Sequence, residues 1–153
     1  MTIRPARSSD LPAALALWTA LHREHEAQDS RYRLSDDATS RWSADFRTWT
    51  RSATDRVWLG LDAGAVGLLT AHVYEPAPVF APVRMLWVDD LYVAPGARRV
   101  GLAARLLDAA RQWGREVGAT ELRAGVLATN AAGRAFWSRH GAADLSVTVR
   151  MPL

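Results

Sequence analysis

Leu91-Tyr92-Val93-Ala94-Pro95-Gly96-Ala97-Arg98-Arg99-Val100-Gly101-Leu102-Ala103 carries an apolar strand into an Arg- and Gly-rich turn and then, without a spacer, into an amphipathic helix. A turn that opens a helix presents backbone N–H groups with no intrahelical partner, and the helix macrodipole adds partial positive charge at the same place. The layout is that of a phosphate cradle, and an anionic cofactor is the first expectation.

Residue identity removes two nucleotide motifs. Gly96 and Gly101 have the spacing of the glycine pair of a Walker loop, but Leu102 and Ala103 stand where that loop needs Lys and then Ser or Thr. The chain contains no Lys at all. A dinucleotide fingerprint would need Gly-x-Gly-x-x-Gly, which is absent, although Glu121 falls near the distance of its ribose-binding acid.

Composition bounds the remaining classes. At 153 residues and 49% hydrophobic, the chain reads as one domain, 1–153, with a sizeable core. The pI near 10.1 reflects the absence of Lys and Cys rather than a basic surface, since the formal charge is only +3. The 19 Arg are dispersed among 16 acidic residues, so no nucleic acid partner is expected. No apolar run suggests a membrane span or secretion signal, and with no Cys a cytoplasmic location is the default expectation.

Periodicity predicts a mixed α/β order. Strands are expected at 2–6, 56–61, 65–74, 84–93, 120–127 and 145–151, the last from the alternation of Leu145, Val147, Val149 and Met151. Helices are expected at 11–26, 38–52, 101–116 and 131–139, with Leu11, Leu15 and Trp18 as the apolar stripe of the first. Trp42, Phe46 and Trp49 mark the buried face of the second, and Leu102, Leu106, Ala110 and Trp113 that of the third. Asp62-Ala63-Gly64 signals a hairpin turn, and Pro76, Pro78 and Pro82 an irregular connection. His22 and His25 extend the first helix's stripe, but no third ligand lies at a metal-binding spacing, so no metal is expected.

Arg98-x-x-Gly101-x-Ala103, with Leu91-Tyr92-Val93-Ala94-Pro95 before it and Leu106-Leu107 after, resembles the acyl-CoA cradle of the GNAT superfamily of N-acetyltransferases. A second stretch, from Asn130 through Ala135, Phe136 and Gly141, is similar to the family's other motif, an Asn followed by a helix carrying an aromatic pair and ending in Gly. Together the motifs cover roughly the C-terminal half. The resemblance implies a mixed, mostly antiparallel central sheet flanked by helices and splayed at the cofactor strand.

It also implies an enzyme, an acyltransferase that moves an acetyl group from acetyl-CoA to a primary amine of a small molecule or peptide by direct attack. On that reading Leu91 and Val93 pair with the pantetheine arm. Arg98, Arg99, Val100, Gly101, Leu102 and Ala103 receive the pyrophosphate, and Asn130 and Phe136 complete the cofactor site. Asp89 takes the position of the family's base, and the Leu91 N–H that of the oxyanion donor. Successive strand residues face opposite sides, so at most one of Asp89 and Asp90 is expected to enter a given cleft.

His22, His25, Glu26, Asp29, Tyr32 and Tyr74 are expected to shape the acceptor cleft, and their acidic members suit a cationic amine. Trp137 stands where many members carry the Tyr that protonates the leaving thiolate. An indole N–H does not titrate in the relevant range, which leaves the general acid unassigned. The alternative is a non-catalytic module that binds or senses acetyl-CoA. A homodimer is left open.

Overall fold

The structure, a computed structural model, describes residues 1–77, 79 and 81–152. Five strands, β1 (Thr2–Pro5), β2 (Asp55–Leu61), β3 (Ala65–Tyr74), β4 (Met85–Val93) and β5 (Glu121–Ala124), lie side by side in chain order. The first four pair antiparallel, and β4 pairs with β5 in parallel. The helices are α1 (Leu11–Gln28), α2 (Ala38–Trp49), α3 (Leu102–Glu116) and α4 (Ala131–Arg139). This is the mixed, mostly antiparallel α/β sheet that the family resemblance implies.

β2 and β3 read as nearly continuous apolar runs because both faces of the sheet are covered. Leu59, Leu68 and Tyr92 join Leu17, Trp18, Leu21, Trp42 and Phe46 under α1 and α2. Trp58, Leu69, Leu86 and Val88 join Leu102, Leu106, Ala110 and Trp113 under α3. The close seat of α3 depends on a registered pair of glycines, Gly60 and Gly67. A Cβ at Gly60 would lie 2.9 Å from a Leu102 methyl, and one at Gly67 would lie 3.0 Å from a Leu106 methyl.

Arg4 and Asp10 tie β1 to the start of α1 through two guanidinium hydrogen bonds of 2.7 and 2.9 Å. The Arg4 bonds are the main reason the Asp10 carboxyl is held down to about 2, against a smaller opposing effect of burial. The unfolded chain therefore takes up this proton first as pH falls, and the associated stability, present above about pH 4, is lost between about pH 4 and 2. Urea midpoints measured across that window are expected to fall more steeply for the wild type than for Asp10→Asn, and equal slopes would refute the assignment.

Some sequence expectations need correction. The stripe of α1 is rotated from the expected one, since Ala14, Leu17, Trp18 and Leu21 are buried while Leu11 and Leu15 are only partly covered. α2 ends at Trp49, and β5 stops at Ala124 rather than reaching 127. Residues 145–151 form no strand. Leu145, Val147, Val149 and Met151 are 67 to 87% exposed, because alternation alone supplies neither a neighbouring ladder nor a face to bury. Pro78 lies outside the described residues; Pro76 and Pro82 do fall in the irregular connection before β4.

Candidate active site

β4 and the turn after it build the first half of the site. Pairing between β4 and β5 ends at Val88 opposite Ala124, so beyond Val88 the two strands part. On its other edge β4 stays paired with β3 through Val93 opposite Gly67. The backbone edge from Asp89 to Val93, which includes Leu91, is therefore free of β5 and can take an extended ligand chain as an added strand.

This free edge leads into the turn. Arg99 and Gly101 both adopt left-handed conformations, with φ of 66° and 80°, and α3 starts at the next residue. Among the described residues, the N–H groups of Arg99, Val100, Gly101, Leu102 and Ala103 donate to no protein acceptor. Nothing lies within 4 Å of where a Gly101 Cβ would stand, so the space above it is open. Five free N–H groups at the positive end of a helix of 15 residues fit an anionic group such as a pyrophosphate.

The side chains of Leu102 and Arg98 are otherwise engaged. Leu102 is buried in the core, so only its backbone faces the cradle. Arg98 donates from Nε to the Val93 carbonyl at 2.8 Å and from a terminal nitrogen to Glu24 at 2.5 Å. It thereby braces the turn against β4 and α1. Tyr92 completes the brace through its hydroxyl on Glu24 at 3.3 Å, and burial raises the proton affinity of that phenol above the usual range.

A bulge in β4 builds the second half. Thr70 pairs with Asp90 but Ala71 pairs with Val88, which leaves Asp89 as the extra residue. The extra residue breaks the alternation, and Asp89 and Asp90 both meet side chains from the Thr70, His72, Tyr74 face of β3. The Thr70 hydroxyl donates to Asp90 at 2.6 Å, and His72 Nδ1 lies 2.9 Å from an Asp89 oxygen. The expectation that at most one of the two carboxylates would enter the cleft is corrected by this register shift.

Burial separates the two acids. The Asp90 side chain is 8% exposed, against 41% for Asp89. Asp89 is nevertheless desolvated enough that its proton affinity is raised above the ordinary carboxylate range, with His72 opposing the shift. Across from them, α1 contributes His22, whose Nε2 is 3.7 Å from Asp90. Its ring lies between Trp18, centroids 4.4 Å apart, and His25 at 5.5 Å. Burial, helped by His22, lowers the proton affinity of His25.

The expected acceptor residues divide by helical phase. His22, His25 and Asp29 share one face of α1 or its end, and Tyr32 reaches His25 at 6.4 Å between centroids. Glu26 is turned about 100° away from His25 and is exposed, with no hydrogen bond or ion pair among the described residues. Asp29 is held by Arg31, which lowers its carboxyl to about 2. Tyr74 stands beside His72 at 6.4 Å and Trp87 at 6.5 Å, and is 45% exposed. His72, Thr70 and Trp87 were not singled out from the sequence, although period-two spacing from Tyr74 could have found the first two.

Asn130 caps α4, its side-chain oxygen accepting the Gly133 N–H at 2.8 Å. Phe136 stacks on His140 with centroids 4.3 Å apart. Trp137 packs against the core beneath α3 and lines a shallow groove with Leu86, Gly114 and Leu122. Among the described residues no group of three or more His, Asp or Glu is arranged to hold a metal ion.

Comparison with known proteins agrees with this architecture. The model of the Acetyltransferase (GNAT) family matches residues 16–142. Comparison with curated protein sequences returns no match. Among solved structures, a mutant of the BH1408 protein from Bacillus halodurans is 20% identical with a TM-score of 0.88, over 100% of this chain and 99% of that one. The aminoglycoside antibiotic 6'-N-acetyltransferase AAC(6')-IG from Acinetobacter haemolyticus is 21% identical with a TM-score of 0.76, over 100% and 98%. AAC(6')-Iy in complex with a bisubstrate analogue of CoA and acetylneamine is 18% identical with a TM-score of 0.79, over 99% and 97%. At these identities the likeness is one of fold.

Proposed function

Because this chain belongs to the GNAT acetyltransferase family, we propose that it works as one acetyltransferase domain over 1–153, passing an acetyl group from acetyl-CoA to a primary amine of a small molecule or peptide. The observation that carries the reading is the continuity of the free β4 edge with the unbonded N–H groups of Arg99 to Ala103. An extended pantetheine would pair along Leu91 and Val93, and its pyrophosphate would meet the start of α3. Acetyl-CoA supplies an activated thioester carbonyl, which the Leu91 N–H is suited to polarise.

The acceptor would enter on the α1 side. His22, His25, Tyr32, Tyr74 and Trp87 offer an aromatic and imidazole-rich wall, and Asp89 and Asp90 lend negative charge for a cationic amine. Asp89 belongs to the proton-accepting end of this cleft. Some structural neighbours are named as aminoglycoside acetyltransferases, which makes aminoglycosides, with polyamines and peptide N-termini, the first acceptors to try.

A second reading, an acetyl-CoA-binding module without turnover, has one observation in its favour. Trp137, at the motif position of the family's general acid, is partly buried against the core beneath α3. One assay separates the two. With no Cys in the chain, a thiol reagent detects only released CoA. Acetyl-CoA incubated with spermidine, kanamycin or an unblocked peptide is expected to release thiol with at least one of them. Thermal stabilisation by acetyl-CoA without thiol release would favour the binding module, and stabilisation equal to that by ATP would overturn both readings.

A further inference from the structure

We propose that His72, oriented by Asp89, is the group that takes the proton from the acceptor amine; this rests on the acetyl-transfer reading above. His72 lies near the end of β3, away from either sequence motif, and the β4 bulge brings Asp89 to it. Its Nδ1 is 2.9 Å from Asp89 Oδ2. An ionised carboxylate can only accept, so Nδ1 carries the proton and donates it. The lone pair is then on Nε2. Among the described residues that nitrogen has no hydrogen-bond partner, and the side chain is 33% exposed.

The neighbouring acid and imidazole do not offer the same chemistry. His22 Nε2 and Asp90 are 3.7 Å apart, too far for a hydrogen bond. Asp90 is also committed to the buried Thr70 hydroxyl. The titratable groups around His72 are Asp89 on β4, with Asp90 beside it, Asp55 in register on β2 and Tyr74 on its own strand, while His22 of α1 approaches Asp90 and carries His25 behind it. The three carboxylates lend negative charge that draws a cationic amine toward His72. Imidazole is also the side chain whose charge changes between pH 5 and 8, where a base is most effective at neutrality.

The protons balance as follows. A protonated amine gives one proton to Nε2 of His72, and its freed lone pair bonds to the thioester carbonyl carbon. The carbon–sulfur bond breaks with its electron pair on sulfur. The second nitrogen proton ends on that thiolate, and His72 returns the first to solvent. The products are the amide, CoA thiol and one released proton.

Two measurements test the assignment. The first needs no acceptor. Long-range ¹H–¹⁵N correlation spectra of the free protein, which has four His, are expected to show two Nδ1–H tautomers, His140, whose Nδ1 lies 2.8 Å from the Phe136 carbonyl, and a second that is absent in His72→Gln. That signature is expected to be lost in Asp89→Asn; an Nε2–H tautomer at His72 would overturn the proposal.

The second measurement uses whichever of spermidine, kanamycin or the unblocked peptide gives the fastest thiol release. His72→Gln is expected to lower kcat about 100-fold or more with KM changed less than about threefold, and to remove the acid limb of the pH–rate profile. Asp89→Asn is expected to lower kcat by less. Retention of the acid limb in His72→Gln, with near wild-type kcat, would overturn the proposal and leave acetyl transfer standing. Failure of the wild type to release thiol from any of the three would instead bring down the acetyl-transfer reading, and this proposal with it.

Discussion

Gly101→Glu is expected to abolish the thermal stabilisation that saturating acetyl-CoA gives the wild type, while the far-UV circular dichroism stays native. Gly101 sits at φ 80° as the last residue before α3, with open space where a Cβ would point. A carboxylate there would project negative charge toward the free N–H groups that a pyrophosphate needs. The left-handed backbone adds a strain of about 1 kcal/mol for any side chain. Because nothing crowds the site, the fold should bear that strain.

The lost signal is large. A ligand at 100 times its dissociation constant stabilises by about 2.7 kcal/mol, which is several degrees for a domain of this size. Gly101→Ala carries the same backbone strain without the charge, and is expected to keep part of the shift. An undiminished shift in Gly101→Glu would mean that the cradle is not at this turn.

Phe46→Ala is expected to cost about 3 to 5 kcal/mol, the usual range for emptying a buried aromatic site. The ring is fully buried and lies 5.3 Å from the Trp42 ring, which stacks at 5.2 Å on Trp18. Trp18 in turn supports His22 at 4.4 Å. Removing Phe46 therefore loosens the layer on which His22 and the proposed acceptor wall stand. The expected fall in Tm is roughly 10 °C, at about 2 to 4 °C per kcal/mol for domains of 150 to 250 residues. The α3 cradle lies across the sheet, so the response to acetyl-CoA should survive at lower temperature. A fall of less than about 3 °C would show that α2 contributes little to the core.

The parts of the fold that were legible are those with strong local signals. The stretch from Leu91 to Ala103 announced strand, turn and helix through its apolar run, its Pro and Gly, and the stripe Leu102, Leu106, Ala110, Trp113, and all of these hold in the structure. The alternation of Leu145, Val147, Val149 and Met151 was as clear to the eye and formed no strand. A helix satisfies its own backbone, whereas a strand needs a neighbour that its own sequence does not specify.

The acceptor side of the site was the least legible. Asp89 and Asp90 are adjacent in sequence, and simple alternation sends them to opposite faces. One extra residue in the register between Thr70 and Val88 puts them together and delivers His72 to Asp89. The Gly60 and Gly67 pair was equally silent, because its purpose depends on where Leu102 and Leu106 come down.

Sequence by itself determined the strand, turn and helix from Leu91 onward and the exclusion of Walker and dinucleotide motifs, because these depend on residue identity and short-range pattern. Only the tertiary structure decided that β4 parts from β5 after Val88, that Arg98 is bound to Glu24, and that both carboxylates meet imidazoles on one face. Those are matters of register and of contact between residues up to 74 positions apart, which no local pattern encodes.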